Sequence, residues 1–119
     1  MISKFGQCMR EIREKNNESL RQMAIKLGKS AAFLSAMEVG RKTIPLEYVE
    51  LISNLYNLSF DEKNKLEDCI NFTNSRVSIE LNEMSEVQKD ISIMFARKIK
   101  NADSNLLERL KEALANEEN

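Results

Sequence analysis

Arg21, Lys29, Arg41 and Lys42 stand on either side of "SAAFLSAMEVG", residues 30 to 40. Cations gathered in one part of a chain suit binding a polyanion. Other chemistries lack their parts. With no histidine anywhere in 119 residues, a Ser-His or Cys-His nucleophile is excluded within the chain. Cys8 and Cys69 stand 61 positions apart with no CxxC pairing, so zinc finds no ligand set. Each falls on an apolar helical stripe, Cys8 beside Phe5, Met9 and Ile12, Cys69 beside Leu66 and Ile70, and is expected as a reduced core thiol. No Gly-rich phosphate loop, EF-hand loop or paired catalytic carboxylates appear. The expectation is a protein that is not an enzyme and needs no metal or cofactor.

The formal net charge of −1 hides an asymmetry. Residues 1 to 45 hold nine Lys/Arg and four Glu, a net of +5, and residues 46 to 119 carry a net of −6. A basic head on an acidic body fits binding a polyanion at one end only. No signal-peptide pattern and no apolar run of membrane-spanning length are present, which leads to the expectation of a cytoplasmic protein without membrane contact.

Three glycines, one proline and an abundance of Ala, Leu, Glu, Lys, Met and Arg predict an all-α chain. Helix 1 is expected over roughly 2–15. Helix 2 opens at Ser19 with Gln22 at capping-box spacing and ends at Gly28. Helix 3 opens at Ser30 and runs to about Val39, with Phe33, Leu34 and Met37 inward. Helix 4 is expected from Pro45, with Leu46, Val49, Ile52, Leu55 and Tyr56 on its stripe. Helix 5 opens with the Ser59 and Glu62 pair, and Phe60 is expected to pack back onto helix 4. The alternation of Val77, Ile79 and Leu81 suits a short strand or an extended linker. Two further helices follow, one capped by Ser85 and one carrying Leu106, Leu107, Leu110 and Leu114.

Two helices joined by a tight glycine turn form a helix-turn-helix unit. The axes cross closely, which asks for a small residue at the contact, and Ala24 supplies it. Leu34 and Met37 tie the second helix inward, and Glu38, among apolar neighbours, needs a fixed partner. Ser19, Met23, Ala24, Leu27, Gly28, Ser30, Phe33, Leu34, Ser35, Met37, Glu38 and Gly40 fall in one register. That register resembles the Cro/C1-type (XRE) helix-turn-helix domain over about the first 74 residues. The resemblance implies a five-helix lambda-repressor-like DNA-binding domain at 1–74. It also implies that Arg13, near the end of helix 1, is the partner of Glu38 in a structural ion pair.

In that family helix 3 lies in the major groove, with residues near its start facing base edges. The resemblance therefore implies base contacts for Ser30, Ala31, Ala32, Ser35 and Ala36. Phosphate and loop contacts fall to Arg21, Lys29, Arg41, Lys42 and Thr43. Alanine offers only a methyl contact to thymine and serine one ambivalent hydroxyl, so bidentate base readout by Arg, Asn or Gln is missing from this face. Two readings stay open: recognition through methyls, hydroxyls and duplex shape, or a helix that has given up DNA and serves as a protein-binding scaffold.

Residues 75–119 are expected to form a two-helix extension for dimerisation. Val87, Ile91, Met94 and Phe95, with Leu106 and Leu110, offer more apolar surface than two short helices hide between themselves. They either cover helices 4 and 5 or meet a second subunit. The expected protein is a transcriptional regulator, in first place a repressor, that binds a palindromic operator in double-stranded DNA as a homodimer. The alternatives are an antitoxin of the same fold with a toxin as protein partner, and an inhibitor or scaffold that no longer binds DNA.

Overall fold

A computed structural model describes residues 1–117. It contains seven α-helices and no strand among those residues: α1 Lys4–Asn16, α2 Leu20–Leu27, α3 Ala31–Glu38, α4 Tyr48–Tyr56, α5 Phe60–Asn74, α6 Glu86–Lys98 and α7 Ser104–Ala115. The chain divides into two compact units, Met1–Val77 and Ser78–Asn119. No helix is long and apolar enough to cross a membrane.

The first unit is built from well-capped short helices. Ser3, Ser19, Ser30 and Ser59 each accept a backbone N–H from the first turn of the helix they precede. Ser19 with Gln22 and Ser59 with Glu62 complete reciprocal capping boxes. α1 packs on α3 and α5, and α2 on α3 and α4. Phe5, Met9, Met23, Leu34, Ile52 and Leu66 are fully buried between them. Each such side chain contributes roughly 1.5–3 kcal/mol. Cys8 is buried and Cys69 half-buried, both as free thiols. Burial and the adjoining Cys69 push the Cys8 thiol up to about 12, so it stays protonated and is no nucleophile.

Several expectations need correction. α4 begins at Tyr48, because residues 45–47 first make a turn in which Tyr48 N–H donates to the Pro45 carbonyl at 3.0 Å. That turn buries Ile44 and Tyr48 and leaves Leu46 more than half exposed; Leu55 is also exposed. Phe60 does not pack onto α4. It is the first residue of α5 and is 77% exposed, while Leu66 and Ile70 carry the buried stripe. Residues 76–81 carry no regular structure. An alternating segment becomes a strand only where another edge satisfies its backbone, and none is present among the described residues.

The second unit consists of α6, a 3₁₀ turn at Ile99–Asn101 and α7. Ser85 and Gln88 form a capping box for α6, and Asp103 caps α7. Neither helix contains a buried residue. Ile91, Met94, Phe95, Ile99, Leu106 and Leu110 line an apolar cleft of about 170 Å³.

Candidate nucleic-acid interface

The unit around α3 is fixed from its turn outward. Gly28 takes φ +71°, the left-handed conformation that closes α2, and Lys29 N–H donates to the Ala24 carbonyl at 2.9 Å. Ala24 is 1% exposed, which lets α2 and α3 approach closely. At the start of α2, the Glu18 carboxylate accepts from Tyr56 Oη at 2.6 Å and pairs with Lys26, tying the helix to α4. Burial pushes Glu18 upward, but the bonds from Lys26 and Tyr56 outweigh it and hold the carboxyl below its usual range.

α3 is anchored to α1 at its C-terminal end. Arg13 donates to both oxygens of Glu38, at 2.5 and 3.1 Å, and its Nη1 also lies 3.3 Å from Met23 Sδ. Arg13 and Glu38 are 8% and 5% exposed, so this is a buried bidentate pair. The Glu38 carbonyl oxygen accepts from Ser3 N–H at 3.0 Å and from Ser3 Oγ at 2.7 Å. Gly6 makes this approach possible, since a Cβ there would collide with that same carbonyl oxygen. Gly6 is not among the site residues expected from the sequence. The available signal was a glycine inside the apolar stripe of α1, where only a close neighbour justifies its helical cost.

The loop after α3 is held at both ends. Gly40 takes φ +82°, and Arg41 N–H donates to the Ala36 carbonyl at 2.9 Å. Beyond Thr43, Ile44 exchanges two hydrogen bonds with the Asn74 side chain, at 3.0 and 2.8 Å, and is itself buried. Thr73 Oγ1 accepts from Phe5 N–H at 3.1 Å. The end of α5 therefore fixes the segment that carries Arg41, Lys42 and Thr43. Neither Ile44 nor Asn74 stood out in the sequence, because their pairing spans 30 residues.

The surface of α3 is small and uncharged. Ala32 is exposed, Ser35 and Ala36 are half-buried, and the one acidic residue of the helix, Glu38, is turned inward. Ala31, expected to face outward, is half-buried and packs against the core, because it lies one turn before Leu34. Ser30 Oγ is engaged as the cap, accepting from Phe33 N–H at 3.1 Å. Phe33, expected inward, is half-buried, and Lys29 Nζ and Lys42 Nζ each stand 5.2 Å from its ring centroid.

The cations near α3 differ from those that brace the unit. Arg13, Lys15 and Lys26 pair with Glu38, Glu62 and Glu18. Arg21, Lys29, Arg41 and Lys42 are exposed and form no ion pair among the described residues. Four free cations therefore flank α3, while Lys4, Arg10 and Arg76 are exposed elsewhere in the unit without an ion pair among the described residues. Among the described residues no group of three His, Cys, Asp or Glu side chains is placed to hold a metal ion.

A family model described as Helix-turn-helix matches residues 9–63. No curated protein and no solved structure matches the chain.

Proposed function

Residues 9–63 are a DNA-binding helix-turn-helix domain of the XRE (Cro/C1) family, and from that premise we propose that the chain represses transcription as a homodimer on a palindromic operator. The observation that carries this reading is the set of free cations that flank an uncharged helix face. Arg21, Lys29, Arg41 and Lys42, none with a carboxylate partner among the described residues, surround α3, whose exposed face bears no charge. Phosphate contacts from those four side chains set position and most of the affinity. Ala32, Ala36 and Ser35 enter the major groove as a low-profile surface, with Ser30, Ala31 and Thr43 at its margins.

Sequence preference then comes from thymine methyls, single serine hydroxyls and the deformability of the duplex. Each missing bidentate contact forgoes roughly 1–3 kcal/mol of discrimination. A single such domain is a weak reader, and two on a twofold operator, about 34–36 Å apart, restore specificity. Val87, Ile91, Met94, Phe95, Leu106 and Leu110 of the second unit supply the dimer contact. Support comes from the failure of α6 and α7 to bury any residue within their unit and from the apolar cleft they leave. The site of action is the cytoplasm, where the duplex is.

The same cleft favours a second reading, an antitoxin whose extension takes a toxin as protein partner. A toxin would co-purify at a fixed ratio, whereas a simple repressor purifies alone. Capture of genomic fragments followed by footprinting tests the first reading. Two protected half-sites about one helical turn apart are expected. Absence of protection on any captured duplex would favour a scaffold that has lost DNA binding.

A further inference from the structure

We infer that Phe33 is a positioning residue that holds Lys29 and Lys42 together as one clamp on the duplex backbone. The inference rests on the DNA-binding reading above and adds a part to it. Lys29 precedes α3 and Lys42 follows it, yet both ammonium groups converge on one ring, each 5.2 Å from its centroid. Their separation is therefore no more than roughly twice that distance. One strand carries a charge every ~3.4 Å of duplex axis, so such a pair spans only a few neighbouring phosphates.

Two like charges this close repel, and neither has a carboxylate partner among the described residues. The ring's negative face offsets part of that repulsion through cation–π attraction. Phe33 is placed to do this: its side chain is half-buried and packed against the core, and its backbone is held in the first turn of α3 by the cap Ser30. The backbone on each side is also fixed, by Lys29 N–H on Ala24 O and Arg41 N–H on Ala36 O, both at 2.9 Å. Free lysines lose much rotamer freedom on meeting a phosphate. Lysines already resting on a fixed ring lose less, which raises affinity without adding a contact. No other ring among the described residues has two lysines over it.

The test uses the full chain and a mixed-sequence duplex long enough for two half-sites, at low and moderate salt. Phe33→Leu keeps the apolar bulk and removes the π face. It should weaken binding about three- to tenfold, as loss of exposed cation–π contacts implies, with nearly the same Tm. Phe33→Tyr should restore wild-type affinity. In a Lys29→Ala/Lys42→Ala background, Phe33→Leu should have no further effect. Equal weakening in both backgrounds, or unchanged affinity of Phe33→Leu, would overturn the inference. If Phe33→Leu does not fold, the wild-type NMR spectrum decides: ring-shifted ε-CH₂ resonances of Lys29 and Lys42 support the clamp, and random-coil positions refute it. A wild-type chain that binds no duplex at any salt refutes the DNA-binding reading itself, a distinct outcome.

Discussion

Replacing Glu38 by alanine is the sharpest test of how α3 is held. The substitution removes both bonds from Arg13, at 2.5 and 3.1 Å, and leaves a guanidinium that is 8% exposed with Met23 Sδ as its remaining hydrogen-bond acceptor among the described residues. Thioether sulfur is a weak acceptor, so the charge is uncompensated. Breaking a buried pair from one side costs about 3–5 kcal/mol. A unit of this size has a total stability of about 4–12 kcal/mol, so the loss is a large share of it. At about 4–8 °C per kcal/mol, Tm should fall by at least ~12 °C, followed by calorimetry or far-UV circular dichroism. Glu11→Ala is the control, since Glu11 meets Lys65 in a pair that is more than half exposed on both sides and should change Tm little. Arg13→Met combined with Glu38→Leu should recover most of the loss, because apolar replacement of both partners removes the stranded charge. A Glu38→Ala shift no larger than that of Glu11→Ala would show that the Arg13–Glu38 pair does not hold α3, and failure of the double variant to recover would mean that the pair is not the cause.

Ala32→Glu places a carboxylate on the exposed side of α3 and should abolish duplex binding while leaving Tm unchanged, read by anisotropy and by thermal melting. The Ser59 backbone amide, reinforced by Lys15, holds the Glu62 carboxyl down at about 2. A depressed carboxyl favours the folded state above its ordinary pKa of 4.5 and loses that contribution as the pH falls toward 2. An NMR carboxyl titration should therefore give a midpoint near 2 for the folded chain, and a midpoint at 4.5 would contradict the capping-box geometry. A chain ending at Val77 keeps the Asn74 clamp on Ile44 and removes α6 and α7, so it should sediment as a monomer, whereas the full chain should sediment as a dimer. A dimeric short chain would move the interface into the first unit.

The parts legible in the sequence are those decided within a few residues. Ser19 with Gln22, Ser59 with Glu62 and Gly28 announce helix ends by side chains that satisfy neighbouring backbone groups, and the structure has those bonds. The parts that were not legible depend on distant partners. Pro45 suits a first helical position, but burial of Ile44 under Asn74 delays α4 by a turn and turns Leu46 outward. Phe60 looked like core by type alone, and the direction of its Cβ at the first residue of α5 left it exposed. α3 is only eight residues long, so a small error in phase exchanges neighbours, and Ala31 and Phe33 both took intermediate positions for that reason. Gly6 stayed hidden because its role is a clearance for the Glu38 carbonyl across the α1–α3 contact.

Salt dependence of duplex binding by the wild-type chain and by Arg41→Ala/Lys42→Ala decides whether the cations flanking α3 hold DNA phosphates. The wild type should lose affinity steeply as salt rises, and the variant should bind every sequence more weakly with a slope flatter by about one unit per lost phosphate contact. An unchanged slope, or a wild-type chain whose binding ignores salt, would contradict a DNA-binding surface centred on α3.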